Sequence, residues 1–220
     1  MSALVYDGAP TLGFLAADWI EAHCVVPDGF DMGKPFVLNG WQLYCTVKHY
    51  EVRPNAVHNP EKPLRNQAFV FRRSAVVGPQ KTGKGPWSGA IVLFEAVGPC
   101  QFAGWAVEGD VYLCSDHGCG CGFEYWYESG EPLGEPRPKS LIQLVATSEE
   151  QVSNIYEPLK TMASLGALGG VVKVGEGFMR LPNRGKIEPV SASASSKLGN
   201  PINFAVMDEP GLYTRRNKLL

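Results

Sequence analysis

The stretch Gly78-Pro-Gln-Lys-Thr-Gly-Lys84 decides how the rest of the chain is read. It has the G-x-x-x-x-G-K spacing of a phosphate-cradling loop, and the apolar residues Ala75, Val76 and Val77 run straight into it. Gly78 and Gly83 allow backbone N–H groups to turn inward on a phosphate, and Lys84 adds positive charge for the terminal phosphates. Gly78, Pro79, Gln80, Lys81, Thr82, Gly83, Lys84 and Gly85 are therefore the candidate nucleotide-binding residues. Gly85 breaks the pattern, because a Ser or Thr hydroxyl normally stands there to hold magnesium. An ordinary glycine-rich strand-to-helix turn has the same local look, so the motif needs support from elsewhere in the chain.

That support is Ile202-Asn-Phe-Ala-Val-Met-Asp-Glu209, an apolar run that ends in two adjacent carboxylates. A buried parallel strand reads as a continuous hydrophobic run, and ligands sit beyond the carboxyl ends of such strands. On this reading Asp208 holds magnesium and Glu209 orients and deprotonates the attacking water. A strand ending in a solvated acidic turn is the plain alternative, since Pro210-Gly211 follows at once.

The 220 residues suffice for one sizeable α/β domain, alone or with an appended arm. Hydrophobic residues make up 45% and charged residues 19%, a globular rather than disordered balance. A net charge of −2 argues against coating nucleic acid through bulk positive charge, though not against a local patch. No apolar run approaches the roughly 18 residues that a membrane span requires. The first residues lack the basic flank and apolar core of a secretion signal, so a cytoplasmic protein is expected. The six cysteines are then free thiols or metal ligands rather than a disulfide framework.

Around the loop, strand and helix signals alternate, which predicts an α/β fold with a mainly parallel central sheet. Helical spacing covers Thr11 to His23, and a second helix is expected to begin near Trp41. Proline punctuates a loop from Pro54 to Pro63, and Ala68 to Gly78 is expected as the strand entering the phosphate loop. Pro86 to Val97 is the helix whose N-terminus faces the phosphates. Residues 98–139, rich in Gly, Pro, Cys and aromatics, form an excursion. Leu141 to Ala146 reads as a central strand, and Ser148-Glu-Glu-Gln151 as a capping box opening a helix to about Met162. Short strands and turns follow before the acidic run.

Together these residues resemble the N-terminal ATPase region of the bacteriophage large terminase subunit, the motor that packages DNA. The likeness rests on Thr11-Leu-Gly-Phe-Leu15 with Asp18-Trp-Ile-Glu21 as a helical lead-in and on Ser74 to Lys84 as a variant phosphate loop. Val145 to Gln151 resembles the strand-to-helix step, and a serine-rich stretch through Ser193 to Lys197 resembles the approach to the acidic pair. Pro35-Phe-Val-Leu-Asn-Gly-Trp-Gln42 resembles the family's adenine-recognising segment, with Gln42 as the base reader.

The resemblance implies a P-loop NTPase of the ASCE type. Residues 1–67 would be a helical N-terminal arm, and 68–220 a truncated ATPase core. It implies ATP and Mg2+ as cofactors, with Glu209, Lys84 and Lys81 as catalytic residues; Lys81 takes the place of the basic residue that often precedes the Gly-Lys pair. The implied partners are double-stranded DNA, a portal protein, a small terminase subunit and further copies in a ring, with no membrane. The implied location is the host cytoplasm, transiently at the procapsid portal. The family's nuclease domain, and ATPase strands beyond the acidic pair, are not in this sequence, as expected of a truncated or split chain. Another DNA-dependent ATPase such as a helicase, or a non-catalytic nucleotide-binding assembly subunit, is the alternative.

Two further groups stand out. A ring motor needs a basic finger reaching a neighbouring ATP, and Arg65, Arg72, Arg73, Arg180 and Arg184 compete for it without a front runner. Cys114, His117, Cys119 and Cys121 offer three thiols and an imidazole, enough for a Cys₃His zinc site that would lend folding energy to the excursion. Cys100 is an alternative fourth ligand, and a loop of reduced, unliganded thiols is the plain reading. The aromatics Phe123, Tyr125, Trp126 and Tyr127 are expected to pack on the excursion's own strand.

Overall fold

Helix α1 (Gly13–His23) and helix α2 (Gly40–His49) meet where no side chain fits: a Cβ on Gly13 would lie 2.2 Å from Val47 Cα. The computed structural model describes residues 8–62, 67–191 and 201–209. Thr11 locks the crossing, its hydroxyl donating to the Val47 carbonyl at 2.7 Å and accepting from Gly13 N–H at 2.8 Å. Helix α2 starts where Asn39 caps it, in a reciprocal capping box with Gln42.

Helix α3 (Lys84–Val97) is the spine of the core. Leu93 and Phe94 are fully buried in it, and Trp19 of α1 meets Phe94 edge-on at 5.5 Å. Each such side chain contributes about 1.5–3 kcal/mol by leaving water. Helices α1 and α2 thus share one core with the helix that follows residues 78–83.

The excursion is two antiparallel strand pairs, β1 (Gln101–Trp105) with β4 (Pro132–Glu135) and β2 (Val111–Leu113) with β3 (Glu124–Trp126). The main sheet is built from β5 (Leu141–Ala146), β6 (Met179–Arg180), β7 (Lys186–Ser191) and β8 (Phe204–Met207). Its order is β6-β7-β5-β8, with β7 and β8 parallel to β5 and the short β6 antiparallel. Helix α4 (Glu149–Leu165) leaves the end of β5 and packs against α3, where Gly89 lies beside Met162 and Leu159.

Two sequence expectations are corrected here. Residues 71–79 are not a strand: Phe69 bridges Val52, but the segment beyond has no ladder, and Val77 stands 98% exposed. Its apolar residues satisfy strand propensity, yet none of the described strands lies alongside to pair its backbone groups. The acidic run is also less buried than a continuous apolar stretch suggests. Phe204 and Val206 pack on the core, while Ala205 and Met207 are exposed, because β5 is the single described neighbour of β8.

Candidate functional site

Gly83 closes the loop and caps α3 in the left-handed region, at φ 88° and ψ 17°, where a side chain would be strained. Lys84 is the first residue of the helix, and its ammonium folds back to donate to the Gly78 carbonyl at 2.8 Å and to the Pro79 carbonyl. The Thr82 hydroxyl donates to the same Pro79 oxygen at 3.0 Å. The loop therefore curls around the lysine. With no acidic side chain in the first turn of α3, the positive end of the helix dipole is left for an anion. Lys81 is exposed at the tip with φ 61°, a conformation uncommon for a residue with a Cβ. Gly85 is exposed too, and a Cβ there would meet nothing within 4 Å.

Gln42 is buried, and its amide is engaged at both ends. Oε1 accepts from Asn39 N–H at 2.9 Å, and Nε2 donates to the Gly83 carbonyl at 3.2 Å. The residue expected to read a base thus also ties the start of α2 to the end of the loop. Beside it, Trp41 packs edge-on against Trp87 of α3 at 5.5 Å.

The carboxylates follow β8. Asp208 is half-buried, and its N–H continues the parallel ladder by donating to Val145 O at 3.0 Å. Glu209 is exposed, with φ 43°. Gln151, in the first turn of α4, donates from Nε2 to Glu209 Oε2 at 3.2 Å and accepts from the Thr147 hydroxyl. Ser148 does cap α4 by accepting from Gln151 N–H at 3.2 Å. Because Gln151 turns its amide outward to Thr147 and Glu209, it serves the acidic residue where a capping box had been expected.

Near the C-terminal end of α3, Glu95 accepts on its carbonyl from Ser140 Oγ at 3.1 Å and on its carboxylate from Arg137 at 3.3 Å, just before β5 begins. The C-terminal end of α3 is thereby held beside the start of β5, and the helix packs against both β5 and β8. Among the described residues no hydrogen bond or ion pair joins Lys84 or Lys81 to Asp208 or Glu209.

The expected thiol cluster is present with one ligand changed. Cys114, Cys119 and Cys121 gather around His23 of α1, and the four ligand atoms lie within 4.8 Å of one another. His117 is elsewhere, stacked on Tyr112 with ring centroids 5.2 Å apart. His117 ends the short 3-10 turn Cys114–His117, and its imidazole is taken up by that stacking instead of joining the thiols. Cys100 does not join either: it is buried against the Glu95 carbonyl, and burial raises its thiol pKa. Burial also lowers the pKa of His23, which keeps the ring neutral near pH 7. Nothing local in the sequence marked His23, since it lies 91 residues before Cys114.

Of the candidate arginines, Arg180 lies over the Phe178 ring at 5.5 Å, and Arg184 takes φ 61° in the turn before β7. Arg72 and Arg73 are exposed. Arg65 and the stretch from Ser193 to Lys197 lie outside the described residues. Tyr127 packs as expected, its hydroxyl accepting from Gly134 N–H at 3.1 Å, whereas Trp126 is 66% exposed.

No protein-family model matches the chain. It is 25% identical over 149 residues to the Gene 13 protein of Mycobacterium phage D29, and 25% identical over 143 residues to that of Mycobacterium phage L5. Each match covers 64% of this chain and 20% of the relative, so the chain spans about a fifth of those proteins' length. The crystal structure of the HK97 bacteriophage large terminase superposes on 92% of this chain and 32% of its own, with a TM-score of 0.59 at 20% identity. The chain is thus similar in fold to a large terminase, an α/β fold.

Proposed function

We propose that this chain is the nucleotide-hydrolysing part of a DNA-packaging motor of the large-terminase kind, a P-loop ATPase of the ASCE type. The observation that carries the reading is the loop itself: Gly83 starts α3 in the left-handed region and Lys84 folds back over the Gly78 and Pro79 carbonyls. It sits in a fold similar to the HK97 large terminase, and a carboxylate held by Gln151 follows β8 of the main sheet.

ATP would lie with its phosphates against the loop of residues 78–85. There Lys84 would exchange its contacts to Gly78 and Pro79 for phosphate oxygens, and the dipole of α3 would favour the same anion. Glu209, steered by Gln151, accepts a proton from the attacking water. Lys84 and Lys81 stabilise the charge that develops on the transferred phosphoryl group. Magnesium fits the donor set: Asp208 gives one half-buried carboxylate, and the ion commonly takes one or two with phosphate and water completing the shell. When bound, it neutralises negative charge on the phosphates.

Gln42 is the candidate for contact with the base, since one N–H of its amide remains beyond the bond to Gly83. The motor reading adds double-stranded DNA held through backbone phosphates, a portal protein, a small terminase subunit and a ring of copies, in the host cytoplasm at the procapsid. No described helix is long and apolar enough to cross a membrane. The test is magnesium-dependent phosphate release from ATP with DNA and portal present. Release abolished by Glu209→Gln supports the proposal; ATP left intact by the unaltered chain sinks it.

A second reading is favoured by Gly85, which puts no hydroxyl beside Lys84. In that case the chain binds nucleotide as a non-catalytic assembly subunit. Saturable ATP binding without phosphate release identifies it.

A further inference from the structure

We propose that His23, Cys114, Cys119 and Cys121 bind one structural zinc ion that fastens the β2–β3 hairpin to helix α1. This inference does not depend on the nucleotide reading. His23 Nε2 lies 3.1 Å from Cys114 Sγ and 3.2 Å from Cys121 Sγ, and all four ligand atoms fall within 4.8 Å of each other. A tetrahedral zinc ion with sulfur at about 2.3 Å and nitrogen at about 2.1 Å sets its ligands about 3.5–3.8 Å apart. The atoms are therefore within a few tenths of an ångström to about one ångström of coordination. Thiolate-rich, four-coordinate sites select zinc over the hard cations magnesium and calcium.

The surroundings prepare the ligands. His23 Nδ1 lies 2.7 Å from the Trp19 carbonyl, so that nitrogen carries the proton and Nε2 turns its lone pair toward the sulfurs. Trp19 stacks on the imidazole at 4.2 Å and Phe123 meets its edge at 5.3 Å, which fixes the ring plane. Phe123 N–H donates to Cys121 Sγ at 3.4 Å, a contact that favours sulfur in its thiolate form. Gly118 and Gly122 take φ of 80° and 77°, bending the backbone so that three cysteines face one point.

A structural role follows from the ligand count and from what the ion would hold. Four protein ligands close a tetrahedron and leave no position for a substrate. The β2–β3 pair has three residues in each strand, too short to be stable as an isolated hairpin. The site would tie it to α1, and also to the end of α4, where Cys119 Sγ approaches Ala167 O at 3.9 Å and Ala167 N–H donates to His23 O at 3.2 Å.

The experiment is elemental analysis of the chain purified under reducing conditions without added metal, beside His117→Ala, His23→Ala and Cys121→Ser. The exposed Cys121 keeps at least one ligand variant close to native packing. The unaltered chain and His117→Ala are expected to carry about one zinc per chain, and His23→Ala and Cys121→Ser, each short of one of the four ligands, to retain clearly less than one. Cobalt substituted into the unaltered chain should show the absorption of a tetrahedral thiolate site. Folded protein without zinc, Cys121→Ser with undiminished zinc, or loss of zinc in His117→Ala would each overturn the proposal.

Discussion

Gln151 donates its side-chain amide to Glu209 at 3.2 Å, joining the first turn of α4 to the residue after Asp208. Glu209 is otherwise an exposed carboxylate in a left-handed conformation, so this bond restricts where its oxygens point. Strained residues held by their neighbours are common at functional sites. Glu209→Gln should bind ATP normally and lower phosphate release by about 10²–10⁴-fold, the usual contribution of a general base. Gln151→Leu should give a smaller loss, on the order of tenfold in kcat, with unchanged nucleotide affinity. Equal loss of affinity in both variants, read by equilibrium nucleotide titration, would assign them to binding instead.

Lys84 is the second test of the nucleotide reading. Its ammonium is satisfied by loop carbonyls, so Lys84→Ala should leave the fold intact while removing a charge-assisted contact to phosphate. A charged hydrogen bond contributes about 1.5–3 kcal/mol, which corresponds to a loss of roughly 10–100-fold in ATP affinity. Calorimetric titration measures it directly, and undiminished binding contradicts the assignment.

Gly85 can be tested by adding what the sequence lacks. Its Cβ position is open, and its φ does not lie in the left-handed region, so Gly85→Ser should cost little stability. The new hydroxyl would stand directly after Lys84. If magnesium binds beside Asp208, this variant should bind Mg·ATP more tightly than the unaltered chain, with ATP binding in chelator unchanged. Gly83→Ala is the contrasting change, because φ 88° and the Gln42 amide at 3.1 Å both oppose a side chain there. It should weaken nucleotide binding and lower thermal stability together.

The parts of this site that the sequence made legible are those whose signals are local. The Ser148 cap, the β5 run Leu141–Ala146 and the helix after the loop, expected from Pro86 and found from Lys84, each lie within a few residues of their own cause. What escaped depends on distant partners. His23 is an unremarkable residue in the last turn of α1 until the fold sets it against three cysteines far along the chain. The segment from Phe71 to Pro79 has strand composition, yet a strand needs a neighbour, and sequence patterning does not reveal that none of the described strands pairs with it. Gln151 fitted a capping box equally well by spacing; only tertiary structure chose Glu209 as its partner.

The C-terminal end of α3 is seated by a buried polar junction that can be broken deliberately. Glu95 receives the Tyr50 hydroxyl at 2.9 Å on one carboxylate oxygen and Arg137 at 3.3 Å on the other, and both carboxylate and guanidinium are largely buried. Removing the cation leaves a buried charge facing neutral groups such as the Tyr50 hydroxyl, a change that costs about 3–5 kcal/mol when one partner of a buried pair is lost. Arg137→Ala should therefore lower the denaturant midpoint strongly. The double variant Arg137→Met with Glu95→Gln should recover part of that loss, because it removes both charges at once and keeps an acceptor for Tyr50. Chemical denaturation of the three proteins decides it: an Arg137→Ala midpoint equal to that of the unaltered chain would show that the pair is solvated and does not fix how α3 meets the sheet.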